Sequence, residues 1–386
     1  MEKSRVYFTD MRALPGTSLL TKLQRLIRKA GIGDIDMKER FVAIKIHFGE
    51  PGNLSYLRPN FAKAVVDVVK EQGGKPFLTD CNTLYVGRRK NALDHLEAAW
   101  ENGFTPYSCG CPVIIADGLK GTDEMLVPVE GGEFVKEAKI GHAIMDADVI
   151  ISLNHFKGHE AAGFGGALKN LGMGCGSRAG KMEQHSSGKP TVDQSVCQGC
   201  RVCAKNCAHG AISFGEDRKA SIGHSKCVGC GRCLGACNFD AIYNGCPSAN
   251  DELNCKIAEY AKAVVHGRPQ FHISIVMDGR PCFHISLVID VSPNCDCRAE
   301  NDAAIVPNVG MFASFDPVAL DVACADACNA MPVLAGSKLD GNLHDHGDCH
   351  HDHFTNTFPE TNWHSCIDHA VKLGIGQKEY EWITVK

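Results

Sequence analysis

Val42-Ala43-Ile44-Lys45-Ile46 is a short run of strand-forming residues, and the segments after it decide the fold. From Asn60 to Lys70, Phe61, Val65, Val68 and Val69 recur at helical spacing, and Gly73-Gly74 stops the pattern. Pro76-Phe77-Leu78 then opens another strand. The alternation continues with a helix over Asn91 to Trp100 and strands at Val113-Ile114-Ile115 and Val149-Ile150-Ile151-Ser152-Leu153. Toward the C-terminus, Asp251 to Val265 reads as a helix, Phe271 to Met277 and Phe283 to Val291 as strands, and Asp316 to Ala330 as a helix. Strands alternating with helices predict an α/β fold, a mostly parallel sheet with helices on both faces.

A chain of 386 residues, at roughly 150 per domain, has room for two or three domains. A net charge of -5 and the lack of a long basic stripe exclude a protein built to coat nucleic acid. No run of about 18 apolar residues occurs, which predicts no membrane span. The composition stands out in its 21 cysteines and 18 histidines. Many of the cysteines fall in C-x-x-C runs, and Met1 to Asp10 lacks the apolar stretch of a secretory signal. Metal binding in a reducing cytoplasm is therefore expected, rather than disulfides.

Cys197, Cys200, Cys203 and Cys207 form a C-x2-C-x2-C-x3-C run, and Cys227, Cys230, Cys233 and Cys237 repeat it. Residues 191–214 and 221–244 align at an offset of 30, matching Ala211-Ile212 with Ala241-Ile242. This is the bacterial ferredoxin spacing, in which the fourth cysteine of each run ligates the other cluster. One [4Fe–4S] cluster is expected on Cys197, Cys200, Cys203 and Cys237, the other on Cys227, Cys230, Cys233 and Cys207. Thiolates are soft ligands suited to iron in a tetrahedral sulfur field. Eight cysteines would also satisfy two zinc ribbons, but ribbons set their C-x-x-C pairs farther apart. The proline that usually follows the fourth cysteine is missing, since Ala208 and Asn238 stand there. A polar, glycine-rich stretch from about Gly176 leads into this module. The expected organisation is an α/β domain (1–190), a small α+β ferredoxin-like insert (191–248), and the rest of the α/β domain (249–386).

In an open α/β sheet, ligands bind beyond the carboxyl ends of the strands. Those ends run here into His47, into Cys81, into Asn154-His155-Phe156-Lys157-Gly158-His159, and into Cys295-Asp296-Cys297. His47, Cys81, His155, Lys157, His159 and Lys169 are the candidate catalytic residues. The two histidines four apart either share a helix face or sit in a loop as metal or substrate contacts. Gly163-Phe164-Gly165-Gly166 opens a helix whose N–H groups, with Lys169, would cradle an anion; a close helix–sheet turn explains the glycines nearly as well.

Cys295 and Cys297 are candidates for a further metal site, with buried free thiols as the alternative. Cys109 and Cys111 carry the same two readings, and Cys324 and Cys328 suit core packing. The tract from Leu343 to Phe354 holds His344, His346, His350, His351 and His353. Such tracts read as binding sites for nickel, zinc or cobalt; the alternative is a solvated polar loop.

Lys45-Ile46-His47-Phe48-Gly49-Glu50, Ser152 to His159, Gly166-Ala167-Leu168-Lys169-Asn170, Ser314 to Asp321 and Leu373-Gly374-Ile375-Gly376 resemble the domain-of-unknown-function 362 family. These are iron–sulfur centre proteins of anaerobic bacteria and archaea. The resemblance covers nearly the whole chain, and it implies iron–sulfur binding in the cytoplasm of an anaerobe. It implies no particular reaction. A more distant, fold-level similarity to lactate-racemase-like proteins is an analogy only.

The leading expectation is an oxidoreductase. Electrons would pass from a redox partner protein or reductase through both clusters to the strand-end site, where a small anionic substrate or cofactor meets the histidines and lysines. The alternatives are a non-catalytic electron carrier and a metal-handling or cofactor-maturation protein that uses the histidine tract. No dinucleotide or P-loop fingerprint follows a strand, so nucleotide use has no support.

Overall fold

The computed structural model describes residues 2–84, 87–185, 189–207, 209–227, 233, 237, 239, 241–244, 250–266, 282–346 and 351–386. The strand expected over Phe271 to Met277 lies outside these residues, as do Cys230 and His350. An 8-stranded sheet runs, edge to edge, Tyr380–Thr384, Ser4–Asp10, Gly310–Ser314, Cys282–Val288, Val149–His155, Phe41–Lys45, Lys75–Asp80 and Val113–Ile115. Every strand but Gly310–Ser314 runs the same way. The sheet is thus mostly parallel, as the alternating pattern predicts.

Both faces are covered, so the central strands are apolar throughout. Val42 and Ile44 point into one core with Phe61, Val65 and Val69 of the helix Pro59–Glu71. Ala43 and Ile150 point into the other, with Leu168 and Leu171 of the helix Ala167–Cys175 and Ala258 and Ala261 of the helix Asn250–His266. The expected helices are present: Pro59–Glu71, Ala92–Glu101, Asn250–His266 and Pro317–Asn329. Three strands of this sheet go beyond the sequence reading: Ser4–Asp10, Gly310–Ser314 and Tyr380–Thr384.

The 30-residue repeat is expressed in three dimensions. Ile212–Phe214 pairs antiparallel with Ala220–Ile222, and Ile242–Asn244 pairs with Pro190–Val192, the equivalent segments one repeat away. Asp193 N–H donates to the Ala241 carbonyl and Gly223 N–H to the Ala211 carbonyl, each at 2.7 Å. The two halves therefore each complete the other. The pairing of 190–192 with 242–244 also brings the two ends of the repeat segment side by side.

Candidate functional site

The carboxyl ends of Phe41–Lys45, Lys75–Asp80, Val149–His155 and Cys282–Val288 open onto a cleft of about 200 Å³. All six catalytic candidates line it: His47, Cys81, His155, Lys157, His159 and Lys169, joined by Cys295 and Cys297. His155 ends one strand and Lys157–His159 forms the next, paired with Gly163–Gly165. His155 therefore closes a sheet strand and His159 sits on the hairpin that follows, and neither is on a helix.

Asp296 is the hub of this cleft. Its carboxylate accepts from Lys157 Nζ at 2.9 Å and lies 3.1 Å from His155 Nδ1, with Asp296 fully buried. His155 Nε2 lies 2.8 Å from the Ile289 carbonyl oxygen. Both ring nitrogens thus face acceptors. Burial works to raise the Asp296 pKa, yet Lys157 and the two histidine rings hold it well below the usual carboxylate range. Burial likewise opposes the charge on Lys157, and Asp296 keeps that charge in place.

A second buried pair flanks the first. Arg89 Nε donates to Glu50 at 2.7 Å, its Nη2 donates to the Cys297 carbonyl at 3.0 Å, and its Nη1 lies 2.8 Å from His47 Nε2. A guanidinium can only donate, so the ring accepts there. Burial, together with Arg89, outweighs the pull of Asp296 and takes His47 down to about 4. Behind it, Lys45 Nζ contacts Asp80 at 3.0 Å and Asn170 Oδ1 at 2.7 Å. Cys81 lines the wall as a buried thiol that donates to the Cys175 carbonyl, and burial pushes its pKa well up.

The side-chain donor atoms of His159, Cys295 and Cys297 all lie within 4.8 Å of one another. By identity the set suits a soft divalent cation. The ring orientation argues otherwise. His159 Nδ1 accepts from the backbone N–H groups of Ala161 and Ala162, both at 3.1 Å, so the neutral ring carries its proton on Nε2. No free lone pair is left for a cation. Lys169 Nζ lies 3.7 Å from Cys295 Sγ. A hydrogen bond from Cys297, with Lys169 and Lys157 nearby, overcomes burial and holds the Cys295 thiol well below its usual range, while Cys297 is pushed up.

The helix carrying Lys169 does not present an open anion cradle. The N–H groups of Ala167 and Leu168 are taken by the two carboxylate oxygens of Asp321, at 2.6 and 2.9 Å. Gly166 is needed there, because an added Cβ would collide with that carboxylate.

In the cysteine module, Cys197, Cys200, Cys203 and Cys237 line one small cavity together with Phe214, Ala220 and Ile242. Ala220 N–H points at Cys197 Sγ and Ala211 N–H at Cys207 Sγ, both at 3.4 Å. Cys233 is buried in the same apolar cluster, and Cys207 and Cys227 are half-buried. Met182 belongs to this cluster and Leu84 packs on it. Leu84, with Lys181 and His185 on either side of Met182 in the chain, also lines the cleft, so the module abuts the cleft wall.

The histidine tract is not one loop. Among the described residues, His344 and His346 fall in the helix Lys338–His346 and His353 in the helix His353–Thr357, with His351 outside both. His353 Nε2 lies 3.0 Å from the Met331 carbonyl oxygen, and His344 is exposed beside Asp345. His351 adopts a left-handed backbone. Among the described residues, the tract's histidines form no common ligand set. Cys109, Cys111, Cys324 and Cys328 are buried core thiols.

Residues 42–326 match the family described as Domain of unknown function (DUF362). The chain belongs to the DUF362 family. A thylakoid-associated protein of Synechocystis is 28% identical over 168 residues, 41% of this chain and 46% of that protein. The lactate racemase apoprotein from Thermoanaerobacterium thermosaccharolyticum superposes at a TM-score of 0.35 with 11% identity, over 74% of this chain and 51% of that one. A Thermotoga maritima crystal structure gives 0.36 and 12%, over 80% and 57%. This DUF362 chain spans about half the length of the relatives it matches. At such TM-scores neither structure bears on the chemistry of the cleft. No helix among the described residues is long and apolar enough to cross a membrane.

Sequence reasoning for this DUF362 protein left Lys45, Arg89 and the hub role of Asp296 unassigned. Lys45 sits inside a strand otherwise read as apolar, and that was the available signal. Arg89 stands 39 residues from Glu50 and outside any motif, so only the fold brings them together.

Proposed function

We propose that this protein relays electrons through two [4Fe–4S] clusters in its cysteine module to or from the strand-end cleft, where redox chemistry takes place on a small anionic substrate or cofactor. The observation that carries this reading is the gathering of Cys197, Cys200, Cys203 and Cys237 around one cavity, since these four come from different runs and are the set ferredoxin spacing requires. The donor set fits a cubane: four sulfurs, no competing carboxylate among the cavity's lining residues, and a backbone N–H aimed at Cys197 Sγ, a donor of the kind that tunes a cluster. When bound, such clusters supply one-electron transfer. The chain's own residues would do the rest. Lys157, Lys169 and Lys181 give the cleft a positive wall for an anion, and the Nε2 proton of His159 is within it for donation. A redox partner protein or reductase would exchange electrons with the module.

The test is anaerobic purification followed by iron, sulfide and zinc analysis and electron paramagnetic resonance after reduction. About eight irons per chain and a signal from interacting clusters are expected. A colourless, zinc-loaded protein would sink the proposal.

A further inference from the structure

The proposed electron relay leaves a sulfur pair at the cleft unused. Cys295 and Cys297 are the first and third residues of a turn closed by Arg298 N–H to the Cys295 carbonyl, at 3.3 Å. A turn brings such positions within the span a disulfide bridges. The residue between them, Asp296, is fixed by Lys157 and His155, and the Cys297 carbonyl is fixed by Arg89. The turn is therefore rigid, and both sulfurs line the cleft. Lys169 and the His159 ring stand against the sulfurs and Lys157 is close by, an environment that stabilises a thiolate and repels a dication. Cys324 and Cys328, four apart on one helix, sit instead in the apolar core.

We propose that Cys295 and Cys297 are a redox-active dithiol of the cleft, cycling with an internal disulfide. Oxidation joins the Cys295 thiolate to the Cys297 sulfur, releases the Cys297 proton, and gives up two electrons. Reduction takes two electrons and one proton and restores thiolate and thiol. The electrons pass one at a time to or from iron–sulfur carriers, and in that respect the inference rests on the proposed function. Two one-electron carriers match the two-electron demand of the couple. The couple itself can be measured without them.

The experiment uses the whole chain, held anaerobically in graded mixtures of 2-mercaptoethanol and its disulfide. Samples are acid-quenched, free thiols are alkylated, and the tryptic peptide ending at Arg298 is weighed. That peptide also carries Cys282, a buried strand residue that serves as the internal reference. The expected result is one transition from three alkylated cysteines to one. In Cys297→Ser, Cys295 should accumulate a mixed disulfide with mercaptoethanol. In Cys295→Ser, Cys297 should accumulate far less, a difference that a merely structural pair would not produce. The proposal is overturned if both cysteines stay alkylated at the oxidised limit, or if they hold an equivalent of divalent metal that Cys295→Ser releases. Iron is measured on the same samples. A transition without iron defeats the cluster reading and leaves the dithiol standing. Iron without a transition does the reverse.

Discussion

Lys157 Nζ lies 2.9 Å from Asp296 Oδ1, with the carboxylate wholly out of solvent and the lysine nearly so. The pair ties the hairpin after Val149–His155 to the turn that carries both cleft cysteines. Removing one partner of a buried pair leaves an uncompensated charge, at a cost of about 3–5 kcal/mol. Asp296→Ala strands both Lys157 and His155, so its unfolding free energy, extrapolated from urea titration, should fall by that order. The half-exposed pair Lys63–Asp67 is the control, expected to contribute about 1 kcal/mol or less. Equal small effects at the two sites would mean that the hub does not hold the turn.

The helix Ala167–Cys175 delivers Lys169 and Asn170 to the cleft, and Gly172 is where it meets the helix Asn250–His266. A Cβ there would overlap the Ile257 carbonyl, a backbone atom that cannot swing away. Gly172→Ala should therefore push the helices apart and cost about 1–3 kcal/mol. Gly33→Ala faces open space and should change stability by about 0.5 kcal/mol or less. Thermal unfolding of the two variants decides. If Gly172→Ala melts with the parent, the close approach is not a constraint.

The central strands and the strand-end site were legible because each rests on a local signal. Val42 to Ile46 and Val149 to Leu153 are apolar over nearly their whole length, which only a strand covered on both faces requires. The edge strands were not legible for the opposite reason. Tyr380–Thr384 is half-exposed, and Ser4–Asp10 mixes buried Val6 with polar neighbours, so neither shows a clean period. The site's residue types could be read at the ends of strands, but their pairing could not. Nothing near Lys157 in the chain announces Asp296, and the capping of the Lys169 helix by Asp321 depends on a contact spanning over a hundred residues.

His284 gives a pH dependence with a definite sign. Its ring is fully buried, with Nδ1 2.9 Å from Ser152 Oγ, and burial pushes its pKa down to about 3. An unfolded histidine takes up a proton near 6.5. Above that value both states are neutral and the stability contribution is complete. As pH falls from about 6.5 toward 3, the unfolded chain binds a proton that the folded chain refuses, so stability is lost. His284→Asn keeps a polar partner for Ser152 and removes the titration. Its urea midpoint, followed from pH 7 to pH 4, should fall less steeply than the parent's. Parallel slopes would show that this ring is not the source of acid lability.

The crossing of the two cysteine runs makes a prediction about which variants act together. Cys237 belongs to the second run by sequence but shares a cavity with Cys197, Cys200 and Cys203. If each cavity holds one cluster, Cys197→Ser and Cys237→Ser damage the same site, and Cys207→Ser damages the other. Each single variant should lose about half of the iron, given four irons per cluster. The double variant Cys197→Ser/Cys237→Ser should lose no more than either single, because both ligands serve one centre and their effects are not additive. Cys207→Ser/Cys237→Ser should lose nearly all of it. Iron analysis with paramagnetic resonance on anaerobic samples separates the cases. If Cys197→Ser/Cys237→Ser instead loses nearly all of the iron, those two residues serve different centres, the runs do not cross, and the cavity around Cys237 is not a cluster site.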